Sequence, residues 1–395
     1  SVFNGSGWSE PIISDIYGTL VDGPQLLSAD GSVWLTYAST DASADSSSMV
    51  SYATNQTIVI GSLDSDGNFV ESNKYTPSGN TYAHMQTLAV VNGAPTLFWV
   101  ESAIEDADDI FTSTSNTVKY AVYSNESWGN AQTLSTINHP ISQLAAGGGS
   151  VACNIDTDDN LNTTDDLQLT VYAISGSSVI ANGVTGNVTY GVLPGTCAEG
   201  FIWNGDGALY CGSSSIAAPG ITNEYSIVGD SIYYSSTDEG GTVLTLLKYD
   251  GANWSEPISL ISSADESRYF ENLSAAELNG KDYIFGMNTA VDISADSVTP
   301  DKNLVWASVD PVSDLRIDGV EYDTDVVTPG ENVPVTLTVV NGGDHAVSEL
   351  QVTVDGVAQD IETMDLGVGE SADIAINIPC PSTETTYNIN VTAAS

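Results

Sequence analysis

Basic residues are scarce in this chain. Seven Lys and Arg stand against 52 Asp and Glu, a formal net charge of −45 over 395 residues. Charged residues make up only 15% of the sequence, below the ~25% usual for globular domains, so the imbalance is a shortage of bases rather than an excess of acids. A surface of this sign repels phosphate, which excludes nucleic acid and anionic membrane as partners. It suits divalent cations, high salt or simple solubility. No uninterrupted run of 18 apolar residues occurs, so no transmembrane segment is read. Cysteine is sparse as well: Cys153, Cys197, Cys211 and Cys380 form no Cys-x-x-Cys pair and match no zinc spacing. "CAEGFIWNGDGALYC" sets Cys197 and Cys211 on either side of a hairpin turn at "NGDG". A disulfide between them fits an oxidising compartment, as one of three connectivities open to four cysteines. The chain opens at Ser1 with no methionine or signal-type apolar region and is read as a mature or trimmed product.

Helical periodicity is almost absent, and what is present is β. Short runs such as "SVWLTYAST", "TIVIGSL", "TLFWVES", "VKYAVYS" and "LQLTVYAIS" are bounded by Gly, Asn, Asp and Ser. Many short strands with turn signals between them predict a sandwich, barrel or propeller. A unit recurs: "MQTLAVVNG", "APTLFWVES", "NTVKYAVYS", "SWGNAQTLS" in one copy, and "NEYSIVGD", "SIYYSSTD", "TVLTLLKYD", "NWSEPISLI" in another. Each unit runs to roughly 35–55 residues, as propeller blades do. Six units start near Pro24, Ala83, Pro140, Asn187, Asn223 and Glu271, and the short, irregular fourth leaves five or seven as alternatives. The last unit breaks off at "DPVSDL" without its Trp strand, while a matching strand, "GWSEPIIS", stands alone at the start. The expectation is therefore an all-β chain with a six-bladed propeller over residues 1–311, closed by its N-terminal strand. Trp8, Trp128 and Trp254 would mark outer strands and pack between blades.

From residue 312 the text changes. Alternating strands ("VPVTLTVVN", "LQVTVDG", "ADIAINIP", "YNINVTA") are separated by turns at Pro329-Gly330, Gly342-Gly343 and Gly367. About 80 residues of this kind predict an immunoglobulin-like sandwich over 312–395. The order "DLRI…PGENVPVTLTVVNGGD…LQVTVDG…LGVGESADIAINI" resembles the CARDB family, adhesion-related immunoglobulin-like domains of exported proteins. That resemblance implies an exported location and a spacer architecture, not chemistry. More loosely, "SLDSDGNF" (residues 62–69) resembles the Asp box of sialidase-like propellers, with one extra residue before Gly67.

Chemistry is harder to find. A sialidase grips its substrate carboxylate with three arginines, and this chain has only Arg268 and Arg316. Glu101, after "LFWV", and Asp156, after "VACNI", are the candidates for a carboxylate pair in a central pocket. His84 and His139 stand near inner-strand starts and could meet near the axis, while His345 lies in the second module. No Gly-x-Ser-x-Gly, nucleophilic Cys–His arrangement or phosphate loop is present. "DTDDNLNTTDD" offers calcium the oxygen ligands Asp156, Asp158, Asn160 and Asp165, but Leu161 and Leu167 at the sixth and twelfth positions are not those of an EF-hand. "DSDGN" (residues 64–68) is a second cation candidate. Eight Asn-x-Ser/Thr sequons, at Asn4, Asn55, Asn125, Asn162, Asn187, Asn253, Asn272 and Asn390, permit a glycoprotein. The expectation is an extracellular or cell-surface protein without enzymatic activity, for adhesion, ligand binding or surface-layer or filament structure. Its partners would be other surface proteins, copies of itself, or carbohydrate. The alternative is a secreted carbohydrate-active hydrolase with carboxylates in the central propeller pocket.

Overall fold

The computed structural model describes residues 9–13, 17–41, 44, 48–105, 112–159, 167–173, 176–191, 200–205, 207–238, 241–249, 253–263, 268–278, 281–293, 298–309, 315–322, 329–341, 347, 350–361, 364–367, 370–380 and 387–393. Among the described residues six antiparallel sheets follow one another, over residues 19–75, 81–137, 141–182, 188–216, 221–263 and 268–309. We number them 1 to 6. In each the strands run up and down in sequence order, four per sheet in most and three in sheet 6. Sheet 2 splits its last strand into Ser127–Trp128 and Gln132–Ile137, both paired with Asn116–Ser124. A six-residue helix, Met49–Thr54, capped by Ser48, lies between strands of sheet 1. The chain is thus all-β with an architecture consistent with a propeller.

Hairpin chemistry explains the tight ends. Asn92 and Gly93 both take positive φ (51° and 80°), the conformation a two-residue turn needs to match the twist of its strands. Most of the first strands also carry a register shift, and at one of them, between His84 and Thr87, Met85 takes φ 55°. Such bulges sharpen the twist and re-aim side chains.

Sheets 1 to 6 pack face to face in chain order. Trp34, Ala38, Ile58 and Ile60 of sheet 1 meet Leu97, Trp99 and Ala121 of sheet 2. Phe98, Val100 and Val118 on the other face of sheet 2 meet Val151, Cys153 and Ile155 of sheet 3. Comparable cores join sheet 3 to 4, 4 to 5 and 5 to 6. Trp99 is fully buried and stacks on Tyr75 at 4.8 Å. Trp128 fills the sheet 1–2 interface as expected of an outer-strand tryptophan, edge-on to Trp34 at 5.3 Å. Side chains of the first strands also stitch neighbouring sheets together. Gln86 Nε2 donates to Gly23 O, and Gln143 both donates to Val188 O and accepts from Val188 N.

Among the described residues the expected closing strand is not seen. Trp8 lies outside the described residues, Ser9–Ile13 form no strand, and Ile13 is 92% exposed. Among the described residues no apolar core joins sheet 6 to sheet 1.

The C-terminal residues form two three-stranded sheets: Leu315–Tyr322, Asn332–Asn341 and Ser371–Pro379 in one, and Leu350–Val354, Val357–Ala358 and Ile389–Ala393 in the other. They close on a common core of Val335, Leu337, Val339, Leu350, Val352, Ile374 and Ile376.

Candidate functional site

In sheets 1 to 6 the second strand ends where the first and third begin, so one end of the array collects these termini. Buried polar side chains gather there: Ser39 and Thr40 in sheet 1, Ser102 and Asn116 in sheet 2, Asp156 in sheet 3, Asn204 in sheet 4, Ser236 and Thr242 in sheet 5, and Thr289 in sheet 6. Burying a polar group is costly unless it is hydrogen-bonded, and the best-defined bonds lie around sheets 2 and 3. His84 Nε2 is 2.7 Å from Ser102 Oγ, and Ser102 donates to Asn116 Oδ1. Asn116 Nδ2 in turn donates to the carbonyls of Ser113 and His139, both at 2.7 Å.

This chain of bonds fixes proton positions. Two carbonyls occupy the Asn116 amide nitrogen, so Oδ1 faces Ser102 and takes its hydroxyl proton. Ser102 can then only accept from His84, whose Nε2 carries the hydrogen. Ser102 is therefore not a nucleophile activated by His84. Burial lowers the His84 pKa to about 4, keeping the ring neutral at pH 7, and it stacks on Tyr82 at 4.6 Å.

The two histidines expected to meet are joined only through backbone. The His139 carbonyl ends the Ser102–Asn116 chain, while its ring turns to Asp159, with Nδ1 2.9 Å from Oδ1. His345 lies outside the described residues.

Glu101 and Asp156 share the polar end but do not converge. Alternation along a strand sends successive side chains to opposite faces. Leu97 and Trp99 face sheet 1, so Glu101 does too: its Oε1 accepts from Trp99 Nε1 at 3.2 Å, and its Oε2 lies 3.6 Å from Lys119 Nζ. Ala152 faces sheet 4, and so does Asp156. Asp156 is 0% exposed, and it is the only carboxylate among the buried side chains of the described residues.

Of the expected calcium ligands, Asp156 and Asp158 adjoin in a turn in which Asp156 Oδ1 accepts from Asp158 N at 3.2 Å. Asn160 and Asp165 lie outside the described residues, among which no group of three or more His, Cys, Asp or Glu is placed to share a metal ion. In the loop of residues 64–68, the second cation candidate, the carboxylate bonds to its own backbone. Asp64 Oδ1 accepts from Asp66 N and Asn68 N, and those bonds, Asn68 foremost, hold Asp64 below the usual carboxylate range.

Cys211 is disulfide-bonded, and its expected partner Cys197 lies outside the described residues. Among the sequons, Asn55, Asn125, Asn253, Asn272 and Asn390 are exposed and Asn187 is half-buried, while Asn4 and Asn162 lie outside the described residues.

A second polar cluster was not anticipated from sequence. In sheet 6, Glu271 Oε1 accepts from Lys302 Nζ at 2.6 Å and from Thr289 Oγ1 at 2.7 Å. Those bonds, Lys302 first, hold Glu271 below its ordinary value and therefore ionised. The signal for the first cluster was a polar residue closing an otherwise apolar strand, as in "LFWVES", which is easily taken for the start of a turn; Glu271, near the start of a strand that buries only Phe270, carries no such signal.

No family model matches the chain, and no curated protein does. Solved structures do resemble it. An exo-β-1,3-galactanase from Phanerochaete chrysosporium is 10% identical with a TM-score of 0.33, over 96% of this chain and 99% of that one. A glycoside hydrolase family 43 arabinoxylan arabinofuranohydrolase from Bacillus subtilis is 12% identical with a TM-score of 0.33, over 95% of each chain. A family 43 endo-arabinanase from Bacillus licheniformis is 12% identical with a TM-score of 0.32, over 76% of this chain and 98% of that one. The expectation of a non-enzymatic protein for adhesion, ligand display or surface-layer structure is corrected by these comparisons, because the proteins found are enzymes. No helix of the described residues is long and apolar enough to cross a membrane.

Proposed function

We propose that the chain is an extracellular carbohydrate-active hydrolase whose working carboxylates stand at the polar end of sheets 1 to 6. On this reading the sheets are six blades of a ring, and the C-terminal sheets are a CARDB-like immunoglobulin module serving as spacer. The observation that carries the reading is Asp156: a carboxylate with no exposed surface, at the end of the array where buried polar groups gather. A charge is not buried cheaply, and glycoside hydrolysis is a chemistry that uses carboxylates in unlike surroundings.

Asp156 supplies one carboxyl group. Glu271, on the first strand of sheet 6 and kept ionised by Lys302 and Thr289, supplies the second, as the base or nucleophile. His84, Ser102 and Asn116 hold the wall of the site rather than take part in bond breaking. A net charge of −45 repels polyanions, so the substrate class is a neutral glycan.

The test is release of reducing ends from a panel of neutral α- and β-linked oligosaccharides by the full chain. Asp156→Asn and Glu271→Gln should each lower turnover at least ~100-fold, the range set by loss of a general acid or base, while Glu101→Gln leaves it nearly unchanged. Full activity in Asp156→Asn, or no turnover of any neutral glycan by the unaltered chain, overturns the reading.

A further inference from the structure

The end of the array opposite the polar groups holds a feature the hydrolase reading does not use. A cavity of about 150 Å³ lies between sheets 2 and 3, walled by Phe98, Tyr120, Leu134, Tyr172, Val91 and Ala173. It sits beside the Asn92-Gly93 hairpin and the Gly148-Gly149 turn, and a side-chain carbon built on Gly149 would meet no atom within 4 Å. The rings of Phe98 and Tyr120 are tilted by 31° with centroids 6.2 Å apart. We infer that this cavity is a binding site for a small, flat, apolar molecule of one or two fused rings.

Volume and chemistry lead to the same class of ligand. A mostly apolar cavity of this size accepts guests the size of benzene. Two of the three hydroxyl groups in its wall are already engaged: Tyr120 Oη donates to Gln132 Oε1 at 2.9 Å, and Thr96 Oγ1 donates to Ala94 O at 3.2 Å. Burial, with the neighbouring Cys153 thiol second, pushes Tyr172 up to about 12, so it brings no charge to the wall at neutral pH. A sugar would bring hydroxyl groups with few partners to meet them, and each group buried unbonded would weaken binding. A flat hydrocarbon or indole-like ring needs none and gains ring-to-ring contact.

The experiment uses the full chain with benzene and indole as probes and glucose as the counter-probe, read by thermal unfolding. Ligand well above its Kd should raise Tm saturably, by ~2 °C or more, with no effect from glucose. Ala173→Leu and, separately, Ala94→Val place extra carbons in the cavity and should remove the shift while each protein still unfolds cooperatively. Asp156→Asn should leave the shift intact, which separates this site from the hydrolase reading. No rise with either ring, an equal rise in both filled variants, or a rise with glucose overturns the inference.

Discussion

The strand Ala94–Ala103 of sheet 2 buries six residues in a row, from Pro95 to Val100, whereas Ser371–Pro379 near the C terminus buries only Ile374, Ile376 and Ile378, at every second position. The difference is one of neighbours. A sheet between two others hides both faces and reads as a continuous apolar run, while a sheet with one wet face must alternate. Sheet 6 breaks the rule of its own region. Its first strand, Arg268–Leu278, buries only Phe270. Val305, Ala307 and Val309 pack toward sheet 5, but on the opposite face Leu304 and Trp306 are 56% and 41% exposed, with Tyr283 6.2 Å from Trp306 between ring centroids. Sheet 1 exposes Leu26 and Val33 in the same way. A closed ring would bury these faces together, so the contrast between sheets 2 and 6 measures closure.

The strongest test of that contrast starts where both faces are covered. Trp99→Ala removes a fully buried ring, its stack on Tyr75 and its bond to Glu101. It should cost ~3–5 kcal/mol by urea unfolding, as large-to-small changes in closed cores do. Leu337→Ala, in the core shared by the two C-terminal sheets, should cost ~2–4 kcal/mol. Because no side chain is common to the two sites, the losses should add in the double variant within about 0.5 kcal/mol. A strong departure from additivity would mean that the two sites are energetically coupled. Trp306→Ala sharpens the comparison directly. If sheet 6 is covered in the closed ring, the loss should be ~1–2 kcal/mol. A change within about 0.5 kcal/mol, the figure for an ordinary surface position, would break closure.

Much of the strand pattern was legible because turn residues punctuate it. The unit starts expected at Ala83, Pro140, Asn187 and Asn223 fall within a few residues of the first strands Thr81–Val91, Ile141–Gly147, Val188–Tyr190 and Ile221–Val228. Trp128 was legible as a ring between sheets, since an aromatic opening a short outer strand has little else to pack on. Trp306 was not: its exposure depends on what lies across from sheet 6, and no local periodicity records that. The candidate site was read least well. Glu101 and Asp156 each close an apolar strand, but one falls in step with Trp99 and the other with Ala152, and which neighbour each face meets is decided by sheet order, a long-range property. The Ser102–Asn116 link was missed for a related reason, because Ser and Asn are ordinarily read as turn formers, and only pairing across the sheet shows them buried and bonded.

A pH dependence probes that link. The His84 pKa is about 4 in the folded chain, lowered by burial from an ordinary 6.5, so between these values the unfolded chain binds a proton that the folded chain refuses. The stability tied to a neutral His84 is complete above pH 6.5 and is lost as pH falls toward 4. His84→Gln keeps a donor for Ser102 Oγ and removes the titration. From pH 7 to pH 5 the unaltered chain should lose about 2 kcal/mol more stability than His84→Gln, with both measured by urea unfolding at each pH. Parallel pH profiles would mean that His84 is as free to take a proton in the folded chain as in the unfolded one. The polar end would then be open to water at sheet 2, and the buried Ser102–Asn116 wall would not separate the carboxylates of the site from solvent on that side.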